Sequence, residues 1–455
     1  MQHYKSFLAT FILAVGLIFS SWGQGDFYLL RLDNFFGSPL HKVNEPYTLA
    51  GEVAFIGEGL LQSVYVNWQV QGDQEVYTEF FPNIGNYPYV PWRWQLQQNW
   101  LPDQTGEFDI SIWFSGLNGQ EPDELASDTM QVRVEVYPQL AVKQMALLES
   151  FSSVNCGSCA LATPGLRKIV DENPEIFAMI YYHPFQHENS PLFAFNPKDQ
   201  QLRRQYYQVF YTPFSVIGSL FNGGSIDVDN YLMFSEYEKW AGFALEGNWQ
   251  VSQDSVLTVM VQGETFVNTH DKDYRLLITG LESEVNFDTP PGNNGEKDFF
   301  HVMRFFVPDA NGNKLTTSPE ESGFEFEFVM DMPQGIDLAK LNLLAFVQEM
   351  NSREVSQVVR LQFLEEETED PTHVPGVAGL ETMLRVFPNP ARDYLAIEPI
   401  LNEPFTVSLF DMRGVQWLQT QNTHRIDVSQ MPRGVYILRI EQSGMIYRGK
   451  VQLYP

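Results

Sequence analysis

Cysteine is nearly absent. The 455 residues contain two, Cys156 and Cys159, so a long-range disulfide framework is excluded and one local bridge is the most the chain can form. Basic residues are scarce as well: 28 Lys and Arg face 57 Asp and Glu, for a formal net charge of −29. A field of that sign repels phosphate backbones, so no nucleic-acid partner is expected, whereas it suits a well-solvated exported protein. Apolar runs are short. The run from Phe7 to Phe19, broken by Thr10, falls below the ~20 residues a helix needs to cross a bilayer, and no basic cluster follows it. No transmembrane segment is therefore expected in the mature chain. Nucleophile-elbow, metalloprotease-helix and phosphate-loop motifs are missing too, which removes hydrolase and nucleotide-binding readings and leaves no cofactor to expect.

What is present is first visible at the two ends. Lys5 precedes the short apolar run, and the small residues Ser21 and Gly23 follow it, the layout of a signal peptide over residues 1–23. No cysteine stands at that junction, so lipid attachment there is not expected. At the other end, Leu384-Arg385-Val386-Phe387-Pro388-Asn389-Pro390 opens a small β-domain that closes with Pro432-Arg433-Gly434-Val435-Tyr436-Ile437-Leu438. Asp411-Met412-Arg413-Gly414 is expected to be a hairpin turn, and the acidic stretch 365–383 a linker. These phrases, in this order, resemble the type A C-terminal sorting domain of the type IX secretion system, over residues 384–455. The resemblance implies handling by the type IX machinery, export across an outer membrane and a final place at the cell surface or outside the cell.

Between the ends, the length suggests roughly three or four domains and the aromatic, Gly- and Pro-punctuated composition favours β-structure. Strand signals at Tyr47–Ala54, Val64–Val70, Gly106–Phe114 and Met130–Val136 predict an immunoglobulin-like β-sandwich over 24–138. Tyr87, Tyr89, Trp92 and Trp94, interleaved with Pro88 and Pro91, are read as packing or as a binding loop. The period then changes. Strand 141–148, a helix after Cys159, strand 176–182, a helix over 198–208, the short strand 214–217, a Gly-rich turn at 223–224 and a helix over 229–245 predict an α/β domain over 139–247. Strands return over 248–364 as a second β-sandwich, with Asp309–Asn313 a hairpin turn rather than a calcium loop, because the other acidic ligands are missing.

One motif carries chemistry. Cys156-Gly157-Ser158-Cys159 follows a buried strand and opens a helix, the arrangement of a thioredoxin-like redox site. A thiol at a helix N-terminus faces unsatisfied N–H groups and the positive end of the helix dipole, which stabilise its thiolate. Cys156 would be the nucleophile and Cys159 the resolving thiol. Pro164 stands where thioredoxins kink the helix, and Thr212-Pro213 resembles their cis-proline, which would make Pro213 a substrate-docking element. The pair could instead be an inert disulfide, although so small a loop gives only ~2 kcal/mol of chain-entropy stabilisation. A zinc site from Cys156, Cys159, His183 and His187 is a further reading, with a pair separation unlike that of compact zinc fingers.

The wider set Leu147-Leu148-Glu149-Ser150-Phe151-Ser152, the cysteine pair, Arg204-Gln205-Tyr206-Tyr207, Thr212-Pro213 and His301-Val302-Met303-Arg304 resembles the outer-membrane-protein twenty-eight-related family, in which a thioredoxin-like domain precedes a β-domain. The fold class expected is thus multi-domain and mostly β, with one thioredoxin-like α/β domain. Asn155, Ser158 and Ala160 depart from the usual thioredoxin residues, which bears on redox potency rather than fold. Two functions follow: thiol–disulfide exchange at Cys156 and Cys159, or non-enzymatic binding of a protein or surface ligand with the disulfide structural or vestigial.

Overall fold

Alternating burial builds the first sandwich, as in Val64–Val70, where Val64, Val66, Trp68 and Val70 point inward and consecutive side chains take opposite faces. The computed structural model describes residues 29–185 and 190–364 and, towards the C-terminus, 385–387, 391–392, 394–398, 404–411, 416–432, 434–442 and 445–453. The expected signal peptide (1–23) and acidic linker (365–383) lie outside the described residues. The chain divides into two units, Met1–Glu366 and Glu367–Pro455.

The first region contains β1 (Leu29–Phe35), β2 (Leu40–Lys42), β3 (Ala50–Ile56), β4 (Val64–Val70), β5 (Tyr77–Phe81), β6 (Pro91–Gln95), β7 (Gly106–Ser115) and β8 (Met130–Tyr137). They form a three-stranded sheet, β1-β3-β6, and a five-stranded sheet, β2-β8-β7-β4-β5. Val53, Phe55, Trp94, Ile110, Phe114 and Val134 fill the space between them. The aromatic run splits: Trp94 is core and Trp92 packs edge-on against Phe81, whereas Tyr87 and Tyr89 are 69% and 68% exposed.

Next come β9 (Ala141–Val142), β10 (Ala146–Phe151), α1 (Gly157–Asp171), β11 (Phe177–Tyr182), α2 (Pro191–Phe195), α3 (Pro197–Tyr207), β12 (Phe214–Ile217), β13 (Phe221–Gly224), α4 (Asn230–Tyr237) and β14 (Trp240–Ala241). Three sequence expectations change here. The strand expected over 141–148 is two strands, β9 and β10. Gly223 and Gly224 are strand residues opposite Ser215 and Phe214; the turn lies earlier, at Gly218, whose φ of +49° suits glycine. The helix expected over 229–245 stops at Tyr237, because Trp240–Ala241 pairs with Val142 and Ala141 and the chain then enters another sheet.

That sheet overturns the boundary expected between residues 247 and 248, which falls inside β15 (Phe243–Val251). The remaining strands are β16 (Val256–Thr265), β17 (Tyr274–Asn286), β18 (Asp298–Val307), β19 (Asn313–Lys314), β20 (Gly323–Asp331), β21 (Leu341–Glu349), β22 (Val355–Arg360) and β23 (Gln362–Phe363). Four of them continue the α/β sheet, giving the order β13-β12-β10-β11-β18-β17-β21-β22, with β19 on β17. The others form β20-β16-β15-β23, packed on the shared sheet through Phe243, Trp249, Val259, Leu276, Ile278, Leu343 and Val347. Segments 139–247 and 248–364 are therefore not two separately cored domains: Leu147, Ile180 and Val216 share one cluster with Leu277, Met303 and Phe346. The reason is burial, since both faces of β10 and β11 are buried and β18, paired at Tyr181↔Val302, covers the edge of β11 that would otherwise be open. Asp309–Gly312 turns, held by the Gly312 amide on the Asp309 carbonyl at 3.1 Å, but the expected hairpin does not form, because Asn313 already belongs to β19, which pairs with β17 rather than β18.

The second unit is all β: β24 (Arg385–Phe387), β25 (Tyr394–Glu398), β26 (Phe405–Asp411), β27 (Gln416–Gln421), β28 (Arg425–Asp427), β29 (Gly434–Gln442) and β30 (Met445–Leu453). The sheets β24-β25-β28 and β27-β26-β29-β30 enclose Leu395, Ile397, Val407, Leu409, Ile426, Leu438 and Ile440. β26 and β27 pair antiparallel around the expected hairpin, whose turn lies outside the described residues.

Candidate redox site

The site begins where β10 ends. Beyond Phe151, Ser152–Asn155 leads into α1, whose N-cap is Cys156 in an extended conformation. Cys156 and Cys159 form a disulfide with Cα atoms 5.2 Å apart. The Cys159 amide donates to Cys156 Sγ at 3.1 Å, so the sulfur occupies the place of a capping oxygen and satisfies one of the helix's orphan donors. Cys156 is half-buried and Cys159 fully buried. Of the two residues, Cys156 is the more accessible. Pro164 lies inside α1 as expected.

Register brings Pro213 to the same edge. β12 runs antiparallel to β10 with Phe214 opposite Phe151, so Pro213 falls beside Ser152, the first residue of the loop leading to Cys156. The Thr212–Pro213 peptide bond is cis. Phe210 and Tyr211, which lead directly into Thr212-Pro213, are 80% and 55% exposed.

Behind the disulfide lies a hydrogen-bonded chain. Thr163 Oγ1 donates to the Cys159 carbonyl at 2.9 Å and meets the Tyr181 hydroxyl at 2.8 Å. Burial pushes the Tyr181 hydroxyl up to about 12, so it stays protonated. Burial also raises the Glu296 carboxyl, against the pull of bonds from Thr163 and Asn294. Glu296 comes from the β17–β18 connection, and so do Gly292, Asn293 and Asn294, which hold Ser153–Asn155. Sequence reading missed all four. Thr289-Pro290-Pro291-Gly292-Asn293-Asn294-Gly295 is legible as a loop, but nothing in it signals where it lands.

The two histidines do not join the cysteines in a described metal site. His183 is 2% exposed, with its ring edge-on to Tyr181 and Phe299, and both ring nitrogens lack a hydrogen-bond partner among the described residues. Burial, with a smaller contribution from Arg304, lowers it to about 3, so it is neutral. His187 lies outside the described residues. Among the described residues no cluster of three or more His, Cys, Asp or Glu is arranged to hold a metal ion, and both cysteine sulfurs are committed to the disulfide.

Residues 385–453 match the family model of the secretion system C-terminal sorting domain. A type IX sorting domain of this kind is handled by the secretion machinery and directs export, so the protein goes to the cell surface or the extracellular space. No protein of curated function matches the chain. Among solved structures, HBP35 of Porphyromonas gingivalis is similar at 17% identity and a TM-score of 0.42, over 70% of this chain and 100% of that one. A domain of the outer membrane lipoprotein Omp28 from Porphyromonas gingivalis is similar at 15% identity and a TM-score of 0.21, over 28% of this chain and 91% of that one. At these TM-scores neither similarity carries a function across. No helix among the described residues is long and apolar enough to cross a membrane.

Proposed function

We propose that the exported protein exchanges disulfides with extended polypeptide segments through Cys156 and Cys159. The observation that carries this reading is the asymmetry of the pair at the helix N-cap, with Cys156 half-exposed and Cys159 buried, at the end of a loop whose first residue, Ser152, the register sets beside Pro213. A substrate thiolate attacks Cys156 Sγ, the Cys156–Cys159 bond breaks, and Cys159 leaves as a thiolate that takes a proton. A second substrate thiolate then attacks the mixed disulfide and releases Cys156, so the substrate loses two electrons and the protein gains them. Phe210 and Tyr211, exposed just before the Thr212-Pro213 bond, supply apolar contacts for the substrate chain. Membership in the outer-membrane-protein twenty-eight-related family belongs to the same proposal and rests on the residues that carry the resemblance.

Equilibration of the purified full-length protein with glutathione tests the reading. The expected potential lies above about −270 mV, with selective alkylation of Cys156 at mildly acidic pH after reduction. A potential below about −300 mV without a low-pKa thiol makes the bridge structural. In that case the protein is a surface binding protein, a second reading favoured by the exposure of Tyr87 and Tyr89 at the tip of the first sandwich.

A further inference from the structure

The segment entering the disulfide is held by a part of the chain more than a hundred residues away. β17 and β18 pair as far as Asn286↔Asp298, and the Phe287 amide closes the base of their connection on the Lys297 carbonyl at 3.0 Å. From this strap the Asn293 amide donates to Asn155 Oδ1 at 2.8 Å and the Asn294 amide to the Val154 carbonyl at 3.0 Å. Asn294 Nδ2 donates to the Ser153 carbonyl at 3.3 Å and also to Glu296. Gly292 lies so close that a Cβ there would stand 2.3 Å from the Val154 carbonyl oxygen, under any ordinary contact distance, so the approach requires glycine. Each of Ser153, Val154 and Asn155 thus gives an oxygen to the strap, and the next residue is Cys156, whose amide donates back to the Ser153 carbonyl at 3.0 Å.

We propose that Asn293 and Asn294 are positioning residues for the disulfide, coupling its redox state to the order of the β17–β18 strap. The argument is one of shared ordering. Forming the bridge fixes residues 156–159, docking the strap fixes 153–155, and a segment already ordered by one event costs less to order in the other. The coupling is reciprocal, so the strap biases the pair towards the oxidised form and reduction loosens the strap. The proposal takes the importance of that bias from the exchange reading above, but its test needs only a reducible bridge.

The probe is glutathione: two molecules give two electrons and two protons to the Cys156–Cys159 bond, leaving the dithiol, and join as one glutathione disulfide. For Asn155→Ala and Asn294→Ala in the full chain, the equilibrium constant for oxidation is expected to fall about tenfold, equivalent to ~30 mV. Melting of the oxidised form should drop by more than that of the reduced form. In the unaltered protein, reduction should speed hydrogen exchange at the Asn293 and Asn294 amides by a similar factor. An unchanged constant with equal melting losses in both redox forms would overturn the proposal and leave the strap purely structural. Asn155→Ala alters a single exposed side chain and guards against a variant that does not fold. The potential of the unaltered protein judges the exchange reading, and the difference between variant and unaltered protein judges this one.

Discussion

The junctions near residues 138 and 247 resemble each other in the sequence, each a change of periodicity between β-rich and α/β stretches, yet the molecule joins them differently. Across the first, no ladder among the described residues joins β1–β8 to later strands. Side chains bridge it instead: Arg93 to Asp229 at 2.7 Å, with side chains 34% and 46% exposed, Arg93 over the Tyr231 ring, and Lys272 to Glu135. Across the second, strands from both sides share a sheet and a buried polar knot ties them. There Arg203 of α3 donates to Glu149 of β10 at 2.7 Å and to Gln348 of β21 at 3.0 Å, and the Tyr182 and Tyr207 hydroxyls also donate to Glu149. The difference shows that a change of periodicity marks a change of architecture, whereas a domain boundary requires that each side bury its own edges.

The largest test of this contrast is Arg203→Met, which leaves the Glu149 carboxyl in the shared core without its cation. It is expected to cost about 3–5 kcal/mol in denaturant unfolding, and adding Glu149→Leu should recover much of that loss because the buried carboxyl without its cation is the main cost. A loss under about 1 kcal/mol would mean that the two halves are held by the sheet alone. A middle-sized effect is expected at His183, on the seam between β11 and β18. Its folded pKa lies below the unfolded value near 6.5, so the unfolded chain binds the extra proton. Stability should therefore fall as pH drops from about 6.5 towards the folded value, by roughly 2 kcal/mol between pH 6.5 and pH 5. His183→Leu should remove that slope, and an identical pH profile in the variant would contradict the assignment. The smallest effect is expected at the first junction. Lys272→Ala removes a partly exposed ion pair and should change stability by less than about 1 kcal/mol, measured on the same unfolding curve, with the loss shrinking further in high salt.

The legible parts of the fold were those set by local pattern. Val64–Val70 and Phe214–Ile217 occur at the bounds their alternation or apolar run predicts, and α1 opens at the cysteine pair because its N-cap and first turn are written in adjacent residues. The helix expected to run to Leu245 was overcalled because Trp240–Val251 is equally apolar in either state, and only its partners, β9 and β16, decide for strand. At the site, the sequence singled out Cys156, Cys159 and Pro213, and the register of β10 and β12 sets Pro213 beside the loop that enters Cys156. Asn293, Asn294 and Glu296 were not singled out, since a polar loop carries no mark of what it will cover.

The sequence by itself determined the sorting domain and the alternation of strand and helix, and limited any disulfide to one local bridge, because each depends on residues close together in the chain. Tertiary structure alone decided that the α/β and β halves share one sheet, that His183 is buried among aromatic rings, and that the β17–β18 strap closes over the segment entering Cys156. Those outcomes depend on which edges and polar groups remain unsatisfied once the local elements have formed. Such groups are paired by whatever distant segment the topology brings to them.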